Sequence, residues 1–271
     1  MKNNQIQIKN STVFITGASK GAGLAVCREL INAGAKVFMT AKSKHELLEV
    51  CRKIDSNGDR AFFTVMNAAD SVSVKNAVAE ALEVFEKIDL LINNVEVTYQ
   101  QRVQVPDSSF AGNETHINYL GTFLVAQTLL PSMLVNKSGM IINVASAIGK
   151  SPTPTQANRC ASQAAVIAYS SSLRSEVEDY GITVKTFIPG VTLTDLMNSF
   201  TPGVTLTDLM DSYQIEPSQV MPLEEIAAHM MQAINSNKPE YICDSDNLDI
   251  IRLCSFCPEW LTRRIKIILK S

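Results

Sequence analysis

The sequence is short of net charge, of histidine and of long apolar runs, and each shortage narrows what the chain does. A formal net charge of −3 over 271 residues argues against a nucleic-acid partner, which calls for a strongly basic surface. The three histidines, His45, His116 and His229, are scattered without ligand spacing, so no metal is expected. No uninterrupted apolar run reaches the roughly 18 residues of a membrane span. The opening Met1-Lys2-Asn3-Asn4-Gln5 has no signal-peptide core, and a cytoplasmic protein is expected. Most of the six cysteines sit singly in apolar patterns, as reduced thiols do. Cys254-Ser255-Phe256-Cys257 has redox or metal spacing, but with no second pair or nearby histidine it reads as a buried structural pair. No Pro- or Ser-rich linker interrupts the chain, so residues 1–271 are read as one domain.

What is present is ample apolar material, 46% of residues, in alternating runs. Thr12–Ile15, 36–40, 61–66, 90–93, 140–144 and 183–188 are short β-branched or apolar runs that read as strands. Stretches 43–56, 71–86, 114–133 and 158–179 read as helices. Continuous apolar strands alternating with helices predict an α/β fold, a doubly wound parallel sheet of Rossmann type covered on both faces. The ligand cleft of such a sheet lies beyond the strand C-termini, at the topological switch point. The first strand runs into Thr16-Gly17-Ala18-Ser19-Lys20-Gly21-Ala22-Gly23, and a helix follows. Glycines permit the sharp turn and close approach that a phosphate needs, and the helix start offers free N–H groups.

One segment repeats. Pro189-Gly190-Val191-Thr192-Leu193-Thr194-Asp195-Leu196-Met197 recurs letter for letter at 202–210, and Asn198-Ser199-Phe200 is echoed by Asp211-Ser212-Tyr213. Two copies do not make a solenoid. Segment 189–214 reads as a tandem duplication in a loop, where added length costs little, or more sharply as a duplicated lid segment over the cleft. Residues 258–271, with Trp260, Leu261, Ile265, Ile268 and Leu269 among Arg263, Arg264, Lys266 and Lys270, read as a basic amphipathic helix. It packs on its own domain or a partner subunit, or touches an anionic membrane surface.

Several motifs fall in one order: the glycine turn, Asn93-Asn94, Asn118 in Ile117-Asn118-Tyr119, Ser146 in Val144-Ala145-Ser146-Ala147, and Pro189-Gly190. Together they resemble the short-chain dehydrogenase/reductase family over nearly the whole length. The resemblance implies a nicotinamide dinucleotide held by Gly17, Ser19, Lys20, Gly21, Gly23, Lys42, Asn67, Asn93, Gln163, Pro189, Gly190, Thr192 and Thr194. It implies catalytic roles for Ser146 and Asn118, and a homo-oligomer paired through helices 114–133 and 158–179. Ala41 stands where an NAD site carries an acid, and Lys42 and Lys20 flank the same corner. NADP is therefore favoured over NAD.

The chain also departs from that family. The family uses a tyrosine as general acid/base and a lysine four residues on to lower its pKa. In the register set by Ala161-Ser162, those positions hold Arg159 and Gln163. Arginine keeps its proton, with a pKa above about 12, so it stabilises an alkoxide but is a poor proton donor. Tyr169 is followed four residues later by Leu173 and cannot take over. The turn after Asn94 reads Val95-Glu96, adding bulk and negative charge that either weaken the cofactor's hold or, for Glu96, simply face solvent. The duplicated segment follows the sixth strand, where the family closes over its substrate.

Three functions are compatible with these residues. The first is an NADP(H)-binding family member without standard carbonyl reductase chemistry, a pseudoenzyme. The second is an active NADP-dependent oxidoreductase on an unknown small-molecule carbonyl substrate, with atypical acid/base groups. The third is an interaction or regulatory subunit that binds no nucleotide.

Overall fold

The structure, a computed structural model, describes residues 6–98, 108–152, 156–190 and 220–244, together with 248 and 251. Seven strands form a single parallel sheet: β1 (Thr12–Thr16), β2 (Lys36–Ala41), β3 (Ala61–Val65), β4 (Leu90–Asn93), β5 (Gly139–Val144), β6 (Ile182–Ile188) and β7 (Glu240–Ile242). Their order is β3-β2-β1-β4-β5-β6-β7. The chain leaves β1 outward to β2 and β3, then crosses back to pair β4 against β1. This reversal between β1 and β4 is the switch point, and the C-terminal ends of those strands open a crevice there. Helices α1 (Gly21–Asn32), α2 (Lys44–Ile54), α3 (Ser71–Phe85), α4 (Ser108–Thr115), α5 (Gly121–Asn136), α6 (Ala157–Val177) and α7 (Leu223–Asn235) cover the sheet.

Burial on both faces explains the unbroken apolar strands. Val13 and Ile15 pack with Val26, Leu30, Met230 and Ile234 from α1 and α7. Phe14, between them in sequence, points the other way, into a core with Val78, Leu129 and Leu173 from α3, α5 and α6. There Phe14 stacks on Phe38 at 5.8 Å, and Phe85 meets Phe38 edge-on at 6.0 Å. The helical stretch Gly112–Asn136 is long and apolar enough to cross a membrane by composition, yet Val125, Ala126, Leu129 and Met133 are buried in this core. It is a core helix of the sheet.

Two elements, α7 and β7, lie beyond the alternation read from the sequence. Part of their anchorage is a lysine. Lys185 of β6 is buried, 4% exposed, and its Nζ donates to the carbonyls of Ala233, Ile234 and Ser236 at 2.8, 2.9 and 2.6 Å. It thereby satisfies the Ile234 and Ser236 carbonyls and joins the Ser236 N–H on that of Ala233, at the C-terminus of α7, where a cation is favoured. Desolvation lowers its pKa to about 8. Most of the duplicated segment, the C-terminal stretch 258–271, and Cys254 and Cys257 lie outside the described residues.

Candidate functional site

The glycine turn after β1 is built on two different demands. Gly17 (φ +66°) and Gly21 (φ +59°) adopt left-handed backbone, which glycine enters without steric cost. Gly23 serves close approach: a Cβ there would lie 2.3 Å from the Gly17 carbonyl oxygen and 2.6 Å from Asn94 Nδ2. Asn94 ties the end of β4 to this turn. Its backbone N–H donates to Thr16 Oγ1 at 2.9 Å, and its amide donates to the Thr16 and Gly17 carbonyls at 3.3 and 3.2 Å. Helix α1 begins at Gly21, and Lys20 before it gives no side-chain cap. The first-turn N–H groups are thus left for an anion.

Beside the turn lies a cleft of about 450 Å³ whose lining includes Gly17, Ser19, Lys20, Lys42, Glu46 and Val95. Lys20 and Lys42 are exposed at its edge. Glu46 reaches in from the first turn of α2, and its Oε2 accepts a hydrogen bond from Ser19 Oγ at 2.8 Å. Met66 and Ala68 form the wall after β3. Asn67 between them is exposed, and its Oδ1 accepts the Ala69 N–H at 3.3 Å. Asn93 is buried, 3% exposed. Its amide donates to Asn143 Oδ1 at 2.9 Å, and Asn143 donates in turn to Ser170 Oγ at 2.9 Å. The Asn93 Nδ2 is thereby engaged inside the sheet, in a chain across β4, β5 and α6, while its buried Oδ1 accepts no hydrogen bond.

Further along the strand ends the polar groups pair with one another. Helix α4 passes into α5 through a π-helical turn, His116–Leu120, where the Gly121 N–H bonds the His116 carbonyl five residues back. Such turns cluster at functional sites. Asn118 within it is 1% exposed. Its Oδ1 accepts the Val97 N–H at 2.8 Å, and its Nδ2 donates to the Val97 carbonyl at 3.0 Å and Ser162 Oγ at 3.2 Å. The segment after β4 is thus clamped to the helix. Arg159 on α6 is 8% exposed, and its Nε meets Glu96 Oε1 at 2.7 Å. Arg159 Nη1 also donates to Gln156 Oε1 at 3.2 Å. Gln163, one turn on, is 2% exposed, and its Oε1 accepts the Ser146 backbone N–H at 3.0 Å. The Ser146 side chain is half-buried.

At the end of β6, Gly190 again serves close packing: a Cβ would come 2.8 Å from Met221 Cε and 3.0 Å from Asp244 Oδ2. Pro189 precedes it there, whereas Thr192 and Thr194 lie outside the described residues. Burial pushes the Cys243 thiol up to about 12 and Cys51 to about 11, so neither is a ready nucleophile. Among the described residues no group of three His, Cys, Asp or Glu is placed to hold a metal ion.

Residues 11–209 match the short chain dehydrogenase family. The chain belongs to that family. A 3-oxoacyl-(acyl-carrier-protein) reductase FabG of Rickettsia conorii is 30% identical over 238 residues, spanning 88% of this chain and 94% of that protein. The fold is shared with a short chain dehydrogenase/reductase from Burkholderia phymatum in complex with NAD, at a TM-score of 0.82 and 19% identity over 95% of this chain and 97% of that one. A short chain dehydrogenase from Burkholderia cenocepacia in complex with NADP gives a TM-score of 0.77 and 22% identity, over 96% and 99%.

Within this short-chain dehydrogenase fold the expected residues fall into three groups. Gly17, Ser19, Lys20, Gly21, Gly23 and Lys42 gather at the β1 end of the cleft. Asn118, Ser146, Arg159 and Gln163 gather beyond β4 and β5, with Glu96 among them. Asn67 and Asn93 stand at the periphery, one exposed and one inside the sheet. Glu46 is a cleft residue that motif reading passed over. Its signal was Ser43-Lys44-His45-Glu46, the spacing of a helix capping box, which hides a carboxylate five residues past Ala41.

Proposed function

We propose that this chain is a short-chain dehydrogenase family protein that binds NADP(H) between β1 and β4 and lacks the standard acid/base chemistry of carbonyl reduction. The observation that carries the reading is the 2.7 Å ion pair of Arg159 with Glu96. In this reading Arg159 and Gln163 stand at the family's tyrosine and lysine positions. A bound nicotinamide dinucleotide supplies or takes up a hydride, and the protein must then move a proton at the substrate oxygen. Arg159 holds its proton and spends its charge on Glu96, so it neither donates a proton nor offers a free cation to an alkoxide. Gln163 carries no charge with which to lower a neighbouring pKa. Ser146 and Asn118 remain, the one as a hydroxyl for an oxygen and the other as a clamp on Val97.

The residues at the other end fit a dinucleotide. Two left-handed glycines, the close approach at Gly23 and an uncapped helix start make a seat for a pyrophosphate. Lys20 and Lys42 favour a 2′-phosphate, hence NADPH over NADH. The assembly we propose is a cytoplasmic homo-oligomer. A second reading, an active reductase, is favoured by the name of the Rickettsia conorii relative. One experiment separates the two. Purified protein is titrated with NADPH and NADH by nicotinamide fluorescence and then assayed on a carbonyl panel. NADPH binding without turnover is the expected result. Turnover on any carbonyl overturns the loss of chemistry, and binding of neither dinucleotide overturns the whole reading.

A further inference from the structure

Granting a dinucleotide in the cleft, as the proposed function does, we infer that Glu46 is a specificity-determining residue that restrains the preference for NADPH over NADH. In a capping box the N-cap hydroxyl accepts the N–H of the third helical residue, whose carboxylate turns back to the N-cap N–H. Only half of that box forms here. Ser43 Oγ accepts the Glu46 N–H at 3.3 Å. The Glu46 carboxylate instead leaves α2 and takes the Ser19 hydroxyl at 2.8 Å, across 27 residues of sequence. It therefore stands in the cleft that Lys20 and Lys42 also line. Ser19 is 8% exposed, so its hydroxyl is held in place by its surroundings.

Two chemical consequences follow for a ligand in that corner. A ribose 2′-hydroxyl can donate a hydrogen bond to a carboxylate, whereas a 2′-phosphate cannot and is repelled by it. The Ser19 hydroxyl, while donating to Glu46, is also withheld from a phosphate oxygen. Two lysines therefore act against one carboxylate, and a 2′-phosphate enters against that carboxylate or after it withdraws. The Ser43 N–H offers the withdrawn carboxylate a partner, the unformed half of the capping box. Glu46 thus lowers the affinity for NADPH more than that for NADH.

The test compares full-length wild type with Glu46→Gln and Glu46→Ala. Dissociation constants for NADPH and NADH are read by nicotinamide fluorescence. Those for adenosine 2′,5′-bisphosphate and adenosine 5′-phosphate, a pair differing only in the 2′-phosphate, are read by calorimetry. The Ser43 cap uses the backbone N–H of residue 46, so both variants keep it, and circular dichroism checks their folding. Both variants are expected to widen the NADPH-to-NADH affinity ratio about tenfold, the scale of one charge contact of several ångströms near a protein surface. The bisphosphate pair should shift equally. An unchanged ratio, or one moved toward NADH, overturns the role of Glu46. If wild type binds both dinucleotides and the ratio stays put, only Glu46 is refuted. If wild type binds neither, the binding reading falls with it.

Discussion

The two ends of the cleft are built on opposite plans. At the β1 end, two lysines stand exposed at the edge of the opening, and the glycines let the turn fold tightly on itself and on Asn94. Beyond β4 and β5, polar groups are turned on one another: Arg159 on Glu96, Gln163 on the Ser146 N–H, Asn118 on Val97. An open end suits binding, because unspent donors gain most from a ligand. A self-paired end suits holding the fold together, because its groups are already satisfied. The two ends can thus be perturbed separately within a single fold.

Breaking the open end should have the largest effect. Gly23→Val places a branched side chain against the Gly17 carbonyl, where even a Cβ would sit at 2.3 Å. NADPH affinity measured by fluorescence should fall on the order of a hundredfold or more, since the turn must move. A control far from both ends is Lys185→Met, which takes the Nζ donor from the Ile234 and Ser236 carbonyls and leaves that of Ala233 only the Ser236 N–H. Urea unfolding should show a loss of roughly 2–3 kcal/mol, with NADPH affinity nearly unchanged.

The self-paired end can be opened by design. Arg159→Tyr with Gln163→Lys leaves Glu96 without its cation, so a stability loss of about 1–2 kcal/mol is expected. Adding Glu96→Gly should recover most of it, and only the triple variant should show carbonyl turnover above wild type. Absence of turnover in a triple variant that binds NADPH would shift attention to segment 189–214, testable by deleting 189–201.

The smallest expected effect is a slope. Lys185 has a folded pKa near 8 and an unfolded one near 10.4. Between those values the unfolded chain binds more protons, so stability should rise with pH across the window. Urea midpoints at pH 8 and pH 10 should show a rise in wild type that Lys185→Met lacks.

Much of the fold was legible because its signals are local. The apolar run of β1, the glycines after it and the Asn118 helix each announce themselves within a few residues. Elements α7 and β7 were not read, because β7 is a three-residue strand, half-buried throughout, and part of the anchorage of α7 is Lys185, a residue that ordinarily marks a surface. Asn93 reads as a cofactor contact from its motif, and that its Nδ2 also donates to Asn143, a partner 50 residues away, has no signal in the sequence. Glu96 and Arg159 read as two separate departures 63 residues apart. In the fold they are one contact.

The parallel sheet, the glycine turn and the lack of any Tyr-x-x-x-Lys spacing in α6 are written in the chain itself, since these depend on residue type and short-range spacing. Which charges meet is settled by packing in three dimensions. Glu46 could cap its own helix or face the cleft, and Glu96 could point to solvent or to Arg159. Choices of that kind turn on distances between strand ends far apart in the chain, which spacing along the sequence does not encode.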